Sequence, residues 1–221
     1  MSRTSAPKWM ILLAAMGAVA CASSEHFRTR IQIPHKPEVN LADFDGIVLT
    51  DFLLKSEVEE FDLNQEIREY FGTELSVGLG KEVERNSASL PDESVFEDQE
   101  FWKNLAPDRK KSLFFAGTAE FSQETRKALI AREKKRFEEP FPARKTLETR
   151  KFFSLNMHIH IFSSETGSAV FEREFKETRA YTNPNQTAHF AFFDLAYEIK
   201  EKLFRAISGG ERIQERYLII R

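Results

Sequence analysis

The chain has a single cysteine, Cys21, in 221 residues. A lone thiol excludes an intrachain disulfide and any metal site built from several cysteines. Charge of one sign is missing too. There are 35 acidic and 32 basic side chains, for a formal charge of −3, so no general affinity for nucleic acid is implied. No apolar run reaches the roughly 20 residues that cross a bilayer as a helix. Motifs of chemistry are also lacking: there is no G-x-S-x-G elbow, no Walker loop and no H-E-x-x-H. Gly78-Leu79-Gly80 has no third glycine and falls at the end of a helical pattern, which excludes a dinucleotide site. These absences leave no catalytic residue and no cofactor to nominate.

What is present is a chain able to fold. An apolar content of 41% excludes a disordered protein, and the length suits one domain with a real core. The aromatic content is lopsided: 21 Phe against 4 Tyr and 2 Trp.

Arg3 and Lys8 precede an uncharged stretch, Trp9 to Ala20, that ends in small residues. A positive start, an apolar middle and small residues at the end are the marks of a secretory signal. Cys21 stands where cleavage is expected, followed by the polar spacer Ala22-Ser23-Ser24. Ala18-Val19-Ala20-Cys21 resembles the lipobox of bacterial lipoproteins, departing from it at Ala18, where the family prefers Leu. The resemblance implies that the Cys21 thiol carries a diacylglycerol, is further acylated with fatty acids such as palmitate, and becomes residue one. By analogy with enteric lipoproteins, Ala22 in place of Asp favours the outer membrane. Cleavage would remove Arg3 and Lys8 and no acid, taking the formal charge from −3 to −5. The lipid, not electrostatics, would then hold the protein to the membrane.

The expected organisation is a signal at 1–20, a lipidated Cys and tether or lead-in at 21–45, and one α+β domain at 46–221. Pro34 and Pro37 favour an extended lead-in. Gly46 to Leu54 reads as a central strand. Asp62 with Gln65 suggests a capping box opening a helix that carries Leu63, Ile67, Phe71 and Leu75, with Gly78 and Gly80 near its end. A short helix is expected at 97–105 and a strand at 113–121. Over 152–163, Phe153, Leu155, Met157, Ile159 and Ile161 alternate with Ser154, Asn156, His158 and His160. A turn at Glu165-Thr166-Gly167 and a second strand complete a hairpin. Ala188, Phe192, Ala196, Ile199, Leu203 and Ile207 mark an amphipathic helix, and Tyr217 to Ile220 a last strand. The expected fold class is α+β, a mixed, mostly antiparallel sheet with two main helices packed on one face.

Residues 123–150 read as a charged insertion. It carries Arg132, Lys134, Lys135, Arg136, Arg144 and Lys145 among acids and prolines. A solvated surface explains it, and so does a docking arm for lipid headgroups, an anionic envelope polymer or a partner protein. His158 and His160 are the one suggestive metal pair, since i and i+2 on a strand share a face. Zinc would need a third ligand such as Glu172 or Glu174, and a half-exposed polar sheet face is the simpler reading. Asp43, Asp45 and Asp51 have no acid–base partner motif and read as caps and turns. Phe114-Phe115, Phe152-Phe153 and Phe192-Phe193 cannot each place both rings in one core, which calls for either a second layer on one sheet face, the favoured reading, or a partner.

The order "GIVLTDF", long helix, "LFFAGTAEF", "FFSLNMHIHIFSSETGSAVFEREF" and closing helix is similar to a group of bacterial envelope proteins. The group includes the amino-terminal domain of the periplasmic Tol-system protein, the curli-secretion lipoprotein and the lipoprotein activators of penicillin-binding proteins. The resemblance implies a protein that binds partners or assembles and has no catalytic residues. Two departures set this chain apart. Residues 123–150 are too charged and too short of alternation for the long hairpins of a curli-type pore, and 22–45 is too short for the tether of the synthase activators. The expectation is a membrane-anchored, non-enzymatic binding or assembly factor facing the periplasm. It would work through an envelope protein partner or by self-association. An oligomeric secretion-apparatus subunit and a metal-binding or enzymatic protein using the His158/His160 face are the alternatives.

Overall fold

Alternation over 153–161 builds the middle of the molecule. In the computed structural model, which describes residues 26–86, 89–106, 108, 111–131, 145–183 and 185–219 (backbone alone at 26–35, 128–131, 145–148 and 210–219), five apolar side chains of this stretch lie buried on one sheet face. They belong to strand β6, Lys145–Ser163. Before it come β1 (His26–His35), β2 (Gly46–Leu49), β3 (Leu53–Leu54), helix α1 (Leu63–Leu79), β4 (Glu82–Arg85), the short helix α2 (Gln99–Leu105) and β5 (Ser112–Ala131). After it come β7 (Ala169–Tyr181), helix α3 (Ala188–Ile207) and β8 (Gly210–Ile219).

The main sheet runs β4-β2-β5-β6-β7, with β3 also paired to β5. β2 lies parallel to both β4 and β5, whereas β5-β6 and β6-β7 are antiparallel. The expected central strand is thus one run interrupted at Thr50, Asp51 and Phe52. Leu49 pairs with Phe115 but Leu53 with Thr118, so one residue more passes on this side than on β5. Asn64 secures the break, its amide accepting from Phe52 N and donating to Phe52 O at 2.9 and 3.0 Å.

Local chemistry sets the helix ends. Asp62 accepts from Gln65 N at 3.0 Å, but Gln65 turns its side chain to Glu69, so only half of the capping box forms. Gly80 closes α1 in the left-handed region at φ 62°. Thr187 accepts from Phe190 N at the start of α3. Both α1 and α3 lay their apolar stripes on one sheet face. Leu63, Ile67, Phe71, Leu75, Phe192, Ile199 and Leu203 pack there against Phe115, Phe153 and Met157. The predicted fold class, with two main helices on one face, is the one found.

The second aromatic layer exists on the opposite face. Phe114 and Phe162 turn away from the helices and meet Trp102 of α2, with Val48, Leu90, Val95 and Ala116 completing a smaller core. Adjacent phenylalanines therefore serve two layers: Phe115 lies under α1 and α3 while Phe114 lies under α2.

Two readings of the sequence need correction. β5 does not stop near residue 121 but continues to Ala131, and β6 begins at Lys145, pairing Thr125 with Lys151 through to Ala131 with Lys145. Much of the stretch read as lacking alternation is therefore a hairpin. Its charges hid the strand pattern. The lead-in differs as well: β1 pairs with β8 in a separate two-stranded sheet, and from Glu38 the chain is packed, with Glu38 N donating to Ala206 O at 3.0 Å and Val39 buried. The chain forms two compact units, His35–Gly210 and one made of the two ends. In the latter the described residues are those of β1 and β8. No helix among the described residues is long and apolar enough to cross a membrane.

Candidate functional site

On the face opposite α1 and α3, β6 presents Ser154, Asn156, His158, His160 and Phe162 in alternation. α2 and the preceding 3-10 turn (Glu93–Phe96) cover the Phe162 end and leave the Ser154 end open. Asp92 accepts from Ser94 N, and Asp98 accepts from Glu100 N and Phe101 N. Two successive caps thus fold the covering segment. Trp102 anchors it by donating its indole N–H to Val95 O at 2.8 Å. Gly167, at φ 68° in the β6–β7 turn, allows α2 to lie close, because a Cβ there would stand 2.0 Å from Gln99 O.

Where cover gives way to open sheet, His160 is buried and His158 half-buried. The His160 ring lies parallel to Phe96 at 4.4 Å and to Phe162 at 5.9 Å. Phe162 in turn stacks on Trp102 at 4.1 Å. Burial pushes the His160 imidazole down from 6.5 to about 4; neighbouring His158 adds to this, and Glu172 and Glu93 oppose it. The ring is neutral at physiological pH, with lone-pair nitrogen available to a metal or a proton donor.

Glu172 is the register partner of His160, and Glu174 that of His158. Glu172 is the one that reaches both rings, with Oε1 3.2 Å from His158 Nε2 and Oε2 4.0 Å from His160 Nδ1. Among the described residues, His158, His160 and Glu172 are the group of histidines and acids placed to share a metal ion. Sequence spacing identified the two histidines and offered both glutamates. Phe96 and Trp102, which hold His160, carried no signal for this role because they lie some 60 residues away in the chain.

Farther along the open face, a solvent-open hollow of about 310 Å³ lies over Glu120, Ser122, Asn156 and Lys176. Ser122 and Ser154 share a hydrogen bond across its floor at 2.7 Å. Arg126 covers the Phe152 ring at 5.7 Å and pairs with Glu124. Its polar lining suits the side chains of a partner better than an apolar ligand.

Other candidates fall elsewhere. Asp51 pairs with Arg68 and Asp43 accepts from Asn40, which makes both structural. Cys21 and the basic residues Arg132, Lys134, Lys135, Arg136 and Arg144 lie outside the described residues, and Lys145 is placed by its backbone alone, opposite Ala131.

No protein-family model matches the chain, and no curated protein matches it significantly. Among solved structures, the fold is similar to PelC from Paraburkholderia phytofirmans, a dodecamer. The TM-score is 0.42 at 10% identity, covering 82% of this chain and 99% of that one. It is also similar to a minor lipoprotein from Acinetobacter baumannii (TM-score 0.32, 10% identity, 72% and 92% covered). A third likeness is to lipoprotein GNA1162 from Neisseria meningitidis (0.30, 12%, 71% and 98%).

Proposed function

We propose that the protein is a lipid-anchored component of the bacterial cell envelope, held at the outer membrane, facing the periplasm and acting by binding rather than by catalysis. One observation carries this reading: the only cysteine of the chain directly follows the small residues that end the amino-terminal apolar stretch. Acylation there supplies the two or more chains that stable anchoring requires. The docking element is the basic segment between β5 and β6. Five basic residues, Arg132, Lys134, Lys135, Arg136 and Arg144, stand there with three acids, Glu133, Glu138 and Glu139, and Lys145 opens β6 directly after them, in a protein that is otherwise acidic. Ala131 pairs with Lys145, so the two strands carry both ends of this segment to one place. Its surplus of positive charge suits an anionic envelope polymer or an acidic protein surface.

In cells fed a tagged fatty acid, the parent chain takes up label and sediments with membranes, and Cys21→Ser loses both properties. Label retained by Cys21→Ser would overturn the anchor. Changing Arg132, Lys134, Lys135 and Arg136 together to Glu abolishes pelleting with isolated cell walls and the in-cell crosslinks of the lipidated protein. Unchanged pelleting and crosslinks would remove the docking role.

A second reading, an oligomeric assembly subunit, is favoured by the hairpin itself. β7 ends its pairing at Tyr181 opposite Lys151, so from Arg126 and Arg150 outward the sheet, among the described residues, is two strands wide. An isolated two-stranded ribbon is marginal in water, and a second copy would add the missing strands. Light scattering on the full chain in detergent separates the two: a ring of defined mass supports assembly, and a monomer supports docking on a different partner.

A further inference from the structure

Three side chains from two adjacent strands converge on the outer face just where the α2 layer stops. His158 and His160 leave β6 on the same side, ring centroids 4.3 Å apart, and Glu172 reaches across from β7. One ligand atom from each lies within 4.8 Å of the other two. Around a tetrahedral zinc with bonds of about 2.0–2.1 Å, neighbouring ligand atoms stand about 3.3 Å apart. The His158–Glu172 pair already has that spacing at 3.2 Å. The remaining closure needs only side-chain rotation of His158 and Glu172, whose side chains are 39% and 57% exposed. His160 needs no rearrangement, because its ring is clamped flat against Phe96. A site with one fixed ligand and two that swing in from solvent has an open entry path.

Donor chemistry narrows the ion. Two imidazoles and one carboxylate, without a thiolate, suit zinc and its borderline neighbours, whereas calcium and magnesium take oxygen ligands. We propose that His158, His160 and Glu172 bind one divalent transition-metal ion, zinc being the expected occupant, with the fourth position open to water or to a donor from a docked partner. Two histidines and a carboxylate with an open position is also the ligand count of sites that do more than brace a fold. The ion would sit on the same sheet face as the polar hollow, two residues along β6 from Asn156 in its lining, where a partner laid on the sheet could complete its coordination.

The test uses the full chain stripped of metal with a chelator. Calorimetric titration with zinc, and a parallel titration with cobalt(II) followed by visible absorption, should each give one ion per chain, cobalt showing the intense band of a tetrahedral site. His158→Ala and Glu172→Gln should each weaken zinc binding by at least about tenfold and abolish the cobalt band. Glu172 is exposed and His158 only half-buried, and neither belongs to an apolar core, so the metal-free variants should melt as the parent does. An ordinary hydrogen-bonded cluster would bind no ion, and that outcome overturns the proposal. Zinc binding of unchanged affinity in both variants overturns it equally, since the ion would then sit elsewhere.

Discussion

Tyr70 shows how a single side chain ties stability to pH. Its ring packs edge-on against Phe71 at 5.4 Å and Phe193 at 5.8 Å, between α1 and α3. Burial pushes the phenol up from its ordinary value of 10 to about 12; Lys200 opposes this, and Glu74 adds to it. The folded protein therefore holds the phenolic proton more tightly than the unfolded chain does. The resulting stability is complete below pH 10 and is lost as pH rises from 10 to 12. Replacing Tyr70 by Phe should flatten the alkaline decline over that window, read as urea midpoints of parent and variant below pH 10 and near pH 12. At the same scale, Gly117 is set by space rather than conformation. A Cβ there would stand 2.1 Å from His158 O and 2.8 Å from the Phe52 ring. Gly117→Ala should cost about 1–3 kcal/mol in denaturant unfolding, as overpacking of a tight core does.

Elements differ in how plainly the sequence announces them. The stretch 153–161 alternates so cleanly because one face meets two helices and the other meets solvent or a thin cover. The caps Asp62 and Thr187 are equally plain, since a side-chain oxygen beside orphan N–H groups is a local matter. The outer part of the β5–β6 hairpin was illegible for a physical reason: beyond β7 neither face need be apolar, and Arg126, Lys127, Arg150 and Lys151 mask the period of two. β4 was missed likewise, as Glu82, Glu84 and Arg85 give an edge strand its charges instead of an apolar run. In the candidate site, the His158/His160 spacing was readable, but the burial of His160 was not, since it depends on a segment that arrives from the far side of β5. That segment hangs on Trp102, which is fully buried and bonded to Val95 O. Trp102→Ala should cost about 3–5 kcal/mol, read as a lower urea midpoint.

For the whole molecule, the arrangement is a sheet with unequal cover. In the unit from His35 to Gly210, one face lies beneath two long helices that supply most of the core; among the described residues, the other is roofed by α2 at its Phe162 end. The residues from His35 to Gly210 form a compact unit of their own. Removing 211–221, which takes away the partner of β1, should therefore leave its cooperative thermal transition in place, as followed by near-ultraviolet circular dichroism. The stacked rings have one more consequence. The chain has two tryptophans, Trp9 and Trp102, and loss of residues 1–20 would leave only the second. All indole emission of the processed protein would then arise from a ring stacked on Phe162, which itself lies parallel to His160. The processed molecule would thus carry one optical reporter, joined through aromatic contact to the place where a metal or a partner would arrive.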